Sequence, residues 1–139
     1  MKIKDIMEEK VKLIHPGTTL KEAAEYMREY DCGYLPIGEN DRLIGAVTDR
    51  DIVVRSIAAG HNPNDTTVKD IMTENVQYCF EDDDVTAAAD RMKSEQIRRL
   101  VVLDSKKRMT GVVSLGDIAR LGKDQNLTGA IETCVAKAA

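Results

Sequence analysis

Gly45-Ala46-Val47-Thr48-Asp49-Arg50-Asp51 decides the fold, because a short apolar run ends in a hydroxyl and, three residues on, a carboxylate. The same order returns at Gly111-Val112-Val113-Ser114-Leu115-Gly116-Asp117. In each copy the β-branched and small apolar residues suit a buried strand. The residues that follow, Asp51-Ile52-Val53 or Asp117-Ile118-Ala119, open a helical pattern. A strand therefore runs into a helix N-terminus, whose free backbone N–H groups favour bound oxygen atoms. Thr48 with Asp51, and Ser114 with Asp117, share one helical face. A carboxylate beside a hydroxyl is suited to gripping a vicinal diol such as that of ribose. A single copy reads more simply as a helix N-cap with an acid favouring the helix dipole; the repetition weakens that simpler reading.

Moving outward, the duplication extends along the chain. Lys4-Asp5-Ile6-Met7 returns as Lys69-Asp70-Ile71-Met72. Leu20, Ala23, Ala24 and Met27 correspond to Val85, Ala88, Ala89 and Met92, the i, i+3, i+4, i+7 stripe of an amphipathic helix in both places. Each copy opens with a short segment, Ile3 to Met7 or Val68 to Met72, and Thr67 with Asp70 is spaced as a capping box. Strands are predicted at Val11 to Ile14 and Val76 to Phe80, at Tyr34 to Ile37 and Arg99 to Leu103, and at Leu43 to Thr48 and Met109 to Ser114. Thr19 and Glu22 form the capping box of the first long helix, and the acidic run Glu81 to Asp84 precedes its twin, where acids complement the dipole. Turns fall at Gly38 to Arg42 and Asp104 to Arg108. The last helices run to about Ala59, stopped by Gly60, and to about Leu121. The linker is Gly60 to Thr67, with Asn62-Pro63-Asn64-Asp65.

The fold class expected is α/β (α+β): two β-α-β-β-α repeats, residues 1–62 and 63–122, followed by a tail at 123–139. A repeat of about 60 residues buries a sheet poorly alone, so the repeats are expected to pack through their sheets about a pseudo-twofold axis. Leu127, Ile131 and Val135 give the tail the spacing of a helix stripe, with Cys134 beside it as a packing residue.

With 139 residues, 42% of them hydrophobic, and a net charge of -4, the chain has enough apolar residues for a core and no general attraction to nucleic acid or anionic membranes. No apolar run approaches the roughly 20 residues of a membrane span, which points to a cytoplasmic protein. Cys32, Cys79 and Cys134 are odd in number and widely spaced, and read as reduced thiols rather than a disulfide framework or a zinc finger. No metal site is expected. Phosphate-binding glycine loops and nucleophile elbows are absent from the sequence.

The doubled Lys-Asp-Ile-Met, the Ala-Ala helix, the Leu35-Pro36-Ile37 strand and the doubled Gly-x-x-(Thr/Ser)-x-x-Asp motif resemble a pair of cystathionine-β-synthase (CBS) domains, the tandem called a Bateman module. The likeness spans roughly residues 1 to 122 and is greatest to the small stand-alone bacterial members. It implies a regulatory module that senses adenine nucleotides or S-adenosylmethionine in clefts between the repeats, with no cofactor of its own. It also implies that Thr48 with Asp51, and Ser114 with Asp117, hold ribose hydroxyls while backbone near Tyr34 and Leu100 flanks the adenine. Arg98 and Arg99 stand where the family carries phosphate-binding cations, reaching toward the Asp51 site; Arg50 would serve the Asp117 site. The equivalent of Arg98-Arg99 in the first repeat is Gly33-Tyr34, without a cation, and Val101 replaces the usual proline. CBS pairs commonly form flat, disc-like homodimers, which the resemblance implies here, together with a regulated protein as the further partner.

Three functions compete. A non-enzymatic sensor of AMP, ADP, ATP or S-adenosylmethionine fits the doubled motif best. A structural homodimerisation module with degenerate sites fits the same fold. An enzyme lacks a credible nucleophile and base pair.

Overall fold

The computed structural model describes residues 1–40 and 42–121. The chain is a mixed α/β protein with two small sheets, divided into two compact units. One unit comprises residues 10–76; the other joins residues 1–9 to residues 77–121. The expectation for the tail at 123–139, Cys134 included, lies outside the described residues.

In the unit of residues 10–76, helix α1 (Leu20–Glu29) precedes an antiparallel hairpin of β1 (Tyr34–Glu39) and β2 (Arg42–Thr48). Thr19 starts α1 as its spacing with Glu22 predicts: the Glu22 N–H donates to Thr19 Oγ1 at 3.2 Å, and the Thr19 N–H to Glu22 Oε1 at 3.4 Å. The helix lays Leu20, Ala23 and Met27 on the inner side of the hairpin, formed by Leu35, Ile37 and Val47. Full burial of a leucine, isoleucine, valine or methionine side chain is worth about 1.5–3 kcal/mol. Ala24, expected in the same stripe, is exposed, unlike its counterpart Ala89. The strand expected at Val11 to Ile14 is reduced to one parallel bridge from Ile14 to Ile37. After β2 the chain turns through α2 (Asp49–Asp51) into a π-helical segment, Ile52–Ile57. Its wider turn is visible where the Ala58 N–H donates to the Val53 carbonyl five residues back, at 3.0 Å. Gly60 closes it at φ +79°, as a helix-ending glycine should.

The other unit repeats this plan with one true strand more. Strand β3 (Tyr78–Phe80), shorter than the stretch from Val76 that the sequence predicts, lies parallel to β4 (Arg99–Leu103), which pairs antiparallel with β5 (Met109–Ser114). Helix α3 (Val85–Glu95) buries Val85, Ala88, Ala89 and Met92 against Leu100, Val102 and Val113. Helix α4 (Leu115–Leu121) follows β5 directly. Helices α1 and α3 end at equivalent left-handed residues, Asp31 and Gln96, at φ 49° and 55°.

Each unit is completed by the opening segment of the other sequence repeat. Residues 1–5 run along the acidic stretch before α3. The Ile3 N–H donates to the Asp83 carbonyl, the Lys4 N–H to the Glu81 carbonyl and the Val85 N–H to the Met1 carbonyl, at 2.9 to 3.0 Å. Thr66–Lys69 makes the matching contacts around Pro16, Thr18 and Leu20. The acidic run is structural, as expected: Asp82 pairs with Lys4 at 3.1 Å and Lys2 at 3.6 Å, Asp83 accepts from the Phe80 N–H, and Asp84 caps α3 through the Thr86 N–H. The hydrogen bond and charge of Lys4 hold the Asp82 carboxyl below its ordinary value, and Asp82 raises Lys4 in turn.

Candidate functional site

The two strand-to-helix turns have nearly superposable polar geometry. At the first, the Thr48 N–H donates to Asp51 Oδ2 and the Asp51 N–H to Thr48 Oγ1, both at 3.0 Å. At the second, the Ser114 N–H donates to Asp117 Oδ2 at 2.9 Å and the Asp117 N–H to Ser114 Oγ at 3.0 Å. Each is a reciprocal capping box, so the capping role is real. It does not exhaust the groups: in both, Asp Oδ1 and the hydroxyl proton take no part in the box. The aspartates are largely but not wholly buried, with 16% and 13% of the Asp51 and Asp117 side chains accessible. A carboxylate oxygen and a hydroxyl side by side at a half-buried rim can together engage a diol.

The remaining expected residues gather around these turns. Tyr34 on β1 lies opposite Thr48 in register, and Arg99 on β4 lies opposite Ser114. Leu100, opposite Val113, has its side chain wholly in the core, leaving only its backbone for a ligand. Arg50 is exposed on α2, its N–H donating to Asp49 Oδ1 at 2.8 Å. Arg98 is exposed, and its carbonyl accepts from the Leu115 N–H at 2.8 Å, just as the Gly33 carbonyl accepts from the Asp49 N–H at 3.0 Å. The first repeat has no cation at this equivalent place. A Cβ on Gly33 would lie 2.6 Å from Asp49 Oδ2, so the acid after Thr48 occupies the space that a side chain at position 33 would need. One turn thus carries Gly33 and Asp49 where the other carries Arg98 and Leu115.

Sequence reasoning missed two further cations. Arg55 places Nε 3.6 Å from Asp51 Oδ1, and Arg120 donates from Nη2 to Asp117 Oδ1 at 2.6 Å. Their spacing, four and three residues after each aspartate, was the available signal. Also unanticipated is the close approach across each motif glycine. The Thr73 N–H donates to the Ala46 carbonyl and the Thr73 carbonyl accepts from the Ala46 N–H, beside Gly45, and Glu8 and Val112 exchange the same pair of bonds beside Gly111.

No group of three or more His, Cys, Asp or Glu side chains among the described residues is placed to hold a metal ion. No described helix is long and apolar enough to cross a membrane. Cys79 is buried, and burial pushes its thiol up to about 12, assisted by the nearby Asp83 carboxylate, so it remains an inert packing group.

Comparison with known proteins agrees with this architecture. The model of the CBS domain family matches residues 3–57 and again 68–124. Hypoxic response protein 1 of Mycobacterium tuberculosis is 41% identical over 118 residues, 84% of this chain and 82% of that protein. A crystal structure of Hypoxic Response Protein I with two coordinated zinc ions superposes with a TM-score of 0.76 at 38% identity, covering 87% of this chain and 98% of that one. The CBS domain pair of protein MJ0100, in complex with 5-methylthioadenosine and S-adenosyl-L-methionine, gives a TM-score of 0.76 at 31% identity, covering 87% and 94%.

Proposed function

Because the chain belongs to the CBS domain family and carries two copies of the domain, we propose that it is a cytoplasmic, non-enzymatic regulatory module that binds adenosine-containing ligands and passes their occupancy to a partner protein. In this reading Thr48 with Asp51, and Ser114 with Asp117, take the ribose hydroxyls. Backbone at Tyr34 and Leu100 flanks the base, and Arg50, Arg98 and Arg99 meet ligand phosphates or a carboxylate. The repeats at 1–62 and 63–122 are the units of the duplication.

The observation that carries the reading is the pair of matched capping boxes, each leaving a carboxylate oxygen and a hydroxyl proton at a half-buried rim. A helix cap alone does not need the repetition, and it leaves out Asp51 Oδ1 and Asp117 Oδ1, each of which an arginine approaches instead. The ligands bound by the MJ0100 pair, both adenosyl compounds with a ribose diol, support the same ligand class. Titration calorimetry with AMP, ADP, ATP and S-adenosylmethionine tests it: at least one binds, and none is hydrolysed on prolonged incubation. Failure of all four would leave the second reading, a dimerisation module. That reading draws on the exposed apolar residues Val53, Val54 and Ile57 on one helix.

A further inference from the structure

Arg55 makes a connection that its counterpart does not. Its Nη1 donates to the Ile71 carbonyl at 3.0 Å and lies 3.3 Å from Thr73 Oγ1, while its Nε faces Asp51 Oδ1 at 3.6 Å. The guanidinium is planar and rigid, so fixing its outer nitrogen on Ile71 also fixes the direction its Nε presents to Asp51. Thr73 in turn is held to β2 by paired backbone bonds with Ala46, two residues before Thr48. The result is a closed circuit: Thr48, Asp51, Arg55, Ile71 to Thr73, Ala46 and back along β2. Arg120, three residues after Asp117 on the regular α4, donates to Asp117 Oδ1 itself, with 71% of its side chain accessible. It has no comparable tie to the Met7–Glu8 segment among the described residues. Arg55 also stands in the π-helical segment Ile52–Ile57, a geometry often found at functional sites.

We propose that Arg55 is a positioning residue of the Thr48/Asp51 site, fixing the diol-binding carboxylate and coupling its occupancy to the Ile71–Thr73 segment that leads into the second half of the chain. The proposal rests on the nucleotide-binding reading above. A diol that donates to Asp51 Oδ1 meets a carboxylate already oriented by the Thr48 N–H through Oδ2 and by Arg55 through Oδ1. The same contact steadies the arginine on Ile71 and Thr73. Among the described residues the arginine of the Asp117 site has no anchor beyond the carboxylate, so that site lacks this connection.

The test uses the full chain carrying Asp117→Ala, which leaves the Asp51 site to be read alone, with AMP and 2′,3′-dideoxy-AMP as probes in calorimetry. Without further change, AMP should bind more tightly than the dideoxy compound. Adding Arg55→Ala should shrink that preference at least fivefold while the melting curve still shows a folded protein. Arg55→Lys should behave like the alanine variant, since one ammonium cannot reach Asp51 and Ile71 together. Hydrogen exchange gives an independent readout: AMP should slow exchange of the Thr73 amide, and Arg55→Ala should abolish that slowing. An equal loss of affinity for both nucleotides, or an unchanged preference with ligand-dependent Thr73 protection intact, would overturn the proposal. If AMP does not bind even before Arg55 is changed, the nucleotide reading fails first and the positioning role falls with it.

Discussion

Met72 Sδ lies where a side chain on Gly45 would have to go: a Cβ there would come within 2.6 Å of the sulfur and 2.9 Å of the Thr73 carbonyl. The equivalent Gly111 is tighter in kind, because its nearest neighbour at 2.6 Å is the Glu8 backbone carbonyl, with Met7 Sδ at 3.1 Å. The motif glycine is therefore a packing residue that lets the end of a Lys-Asp-Ile-Met segment close on the strand beside the candidate site. A flexible thioether can move aside more readily than a carbonyl already committed to the Val112 N–H. Gly111→Ala should destabilise the protein by about 1–3 kcal/mol, the usual range for overpacking, and Gly45→Ala by less. Urea denaturation of the two variants checks the order; equal midpoints would contradict it.

Asp51→Ala should weaken the best-binding adenosyl ligand by about 1.5–3 kcal/mol, the worth of a hydrogen bond to a charged group. Its fold should persist, because the surrounding core is apolar and Asp51 lies at its rim. Calorimetry beside a thermal melt separates the two effects. An unchanged dissociation constant removes Asp51 from the site.

Arg98 and Arg99 have no cationic counterparts in the first repeat, where Gly33 and Tyr34 stand instead. Arg99→Ala should lower AMP affinity roughly tenfold at low salt and less at about 1 M salt, where the screening length falls to about 3 Å. Neutral adenosine should respond little at either. Equal losses for the two ligands would assign Arg99 to pocket shape rather than to phosphate.

Acid should loosen the attachment of residues 1–5. Asp82 is depressed below the ordinary aspartate value of 3.8 by the hydrogen bond and charge of Lys4, and Asp84 by the Thr86 N–H at the start of α3. A carboxyl depressed in the folded state contributes stability that is present above its unfolded value and lost as pH falls through the folded one. The loss should therefore develop below about pH 4. Asp82→Asn should flatten this acid limb of the urea midpoint against pH. Lys4 gives the mirror effect, since its raised value keeps its contribution until pH exceeds 10.5.

Val53, Val54 and Ile57 are each more than half exposed on one helix. If they form a homodimer contact, Val54→Lys with Ile57→Lys should halve the mass seen by light scattering at micromolar concentration. A parent protein that is already monomeric would contradict the dimer.

The strands β1, β2, β4 and β5 were legible because their apolar runs are bounded by turn residues and occur twice, and the capping boxes because their spacing is local. What escaped has non-local causes. Val11 to Ile14 has strand-like residues, yet only Ile14 finds a partner on β1. Ala24 and Ala89 are the same residue at equivalent positions, one exposed and one buried, a difference no local pattern encodes. The π-helical turn at Ile52–Ile57 keeps the apolar spacing of an ordinary helix. At the candidate site the paired capping boxes of Thr48 with Asp51 and Ser114 with Asp117 could be read from one motif. The links from Arg55 to Ile71 and from Gly33 to Asp49 join positions 16 residues apart and could not.

The crossed attachment of the opening segments has a consequence for synthesis on the ribosome. Residues 1–9 are made before the surfaces they cover, which lie before α3 and beside β5 and are not complete until Ser114 has been made. At about 5–20 residues per second, that delay is on the order of ten seconds. During it Ile3 and Ile6, both buried in the finished protein, have no place to dock on their own chain. On a crowded polysome, a neighbouring nascent chain that is further along offers the same surface. Exchange of the first nine residues between molecules is therefore the natural misassembly of this architecture, one that would raise the oligomer size without creating a single new contact.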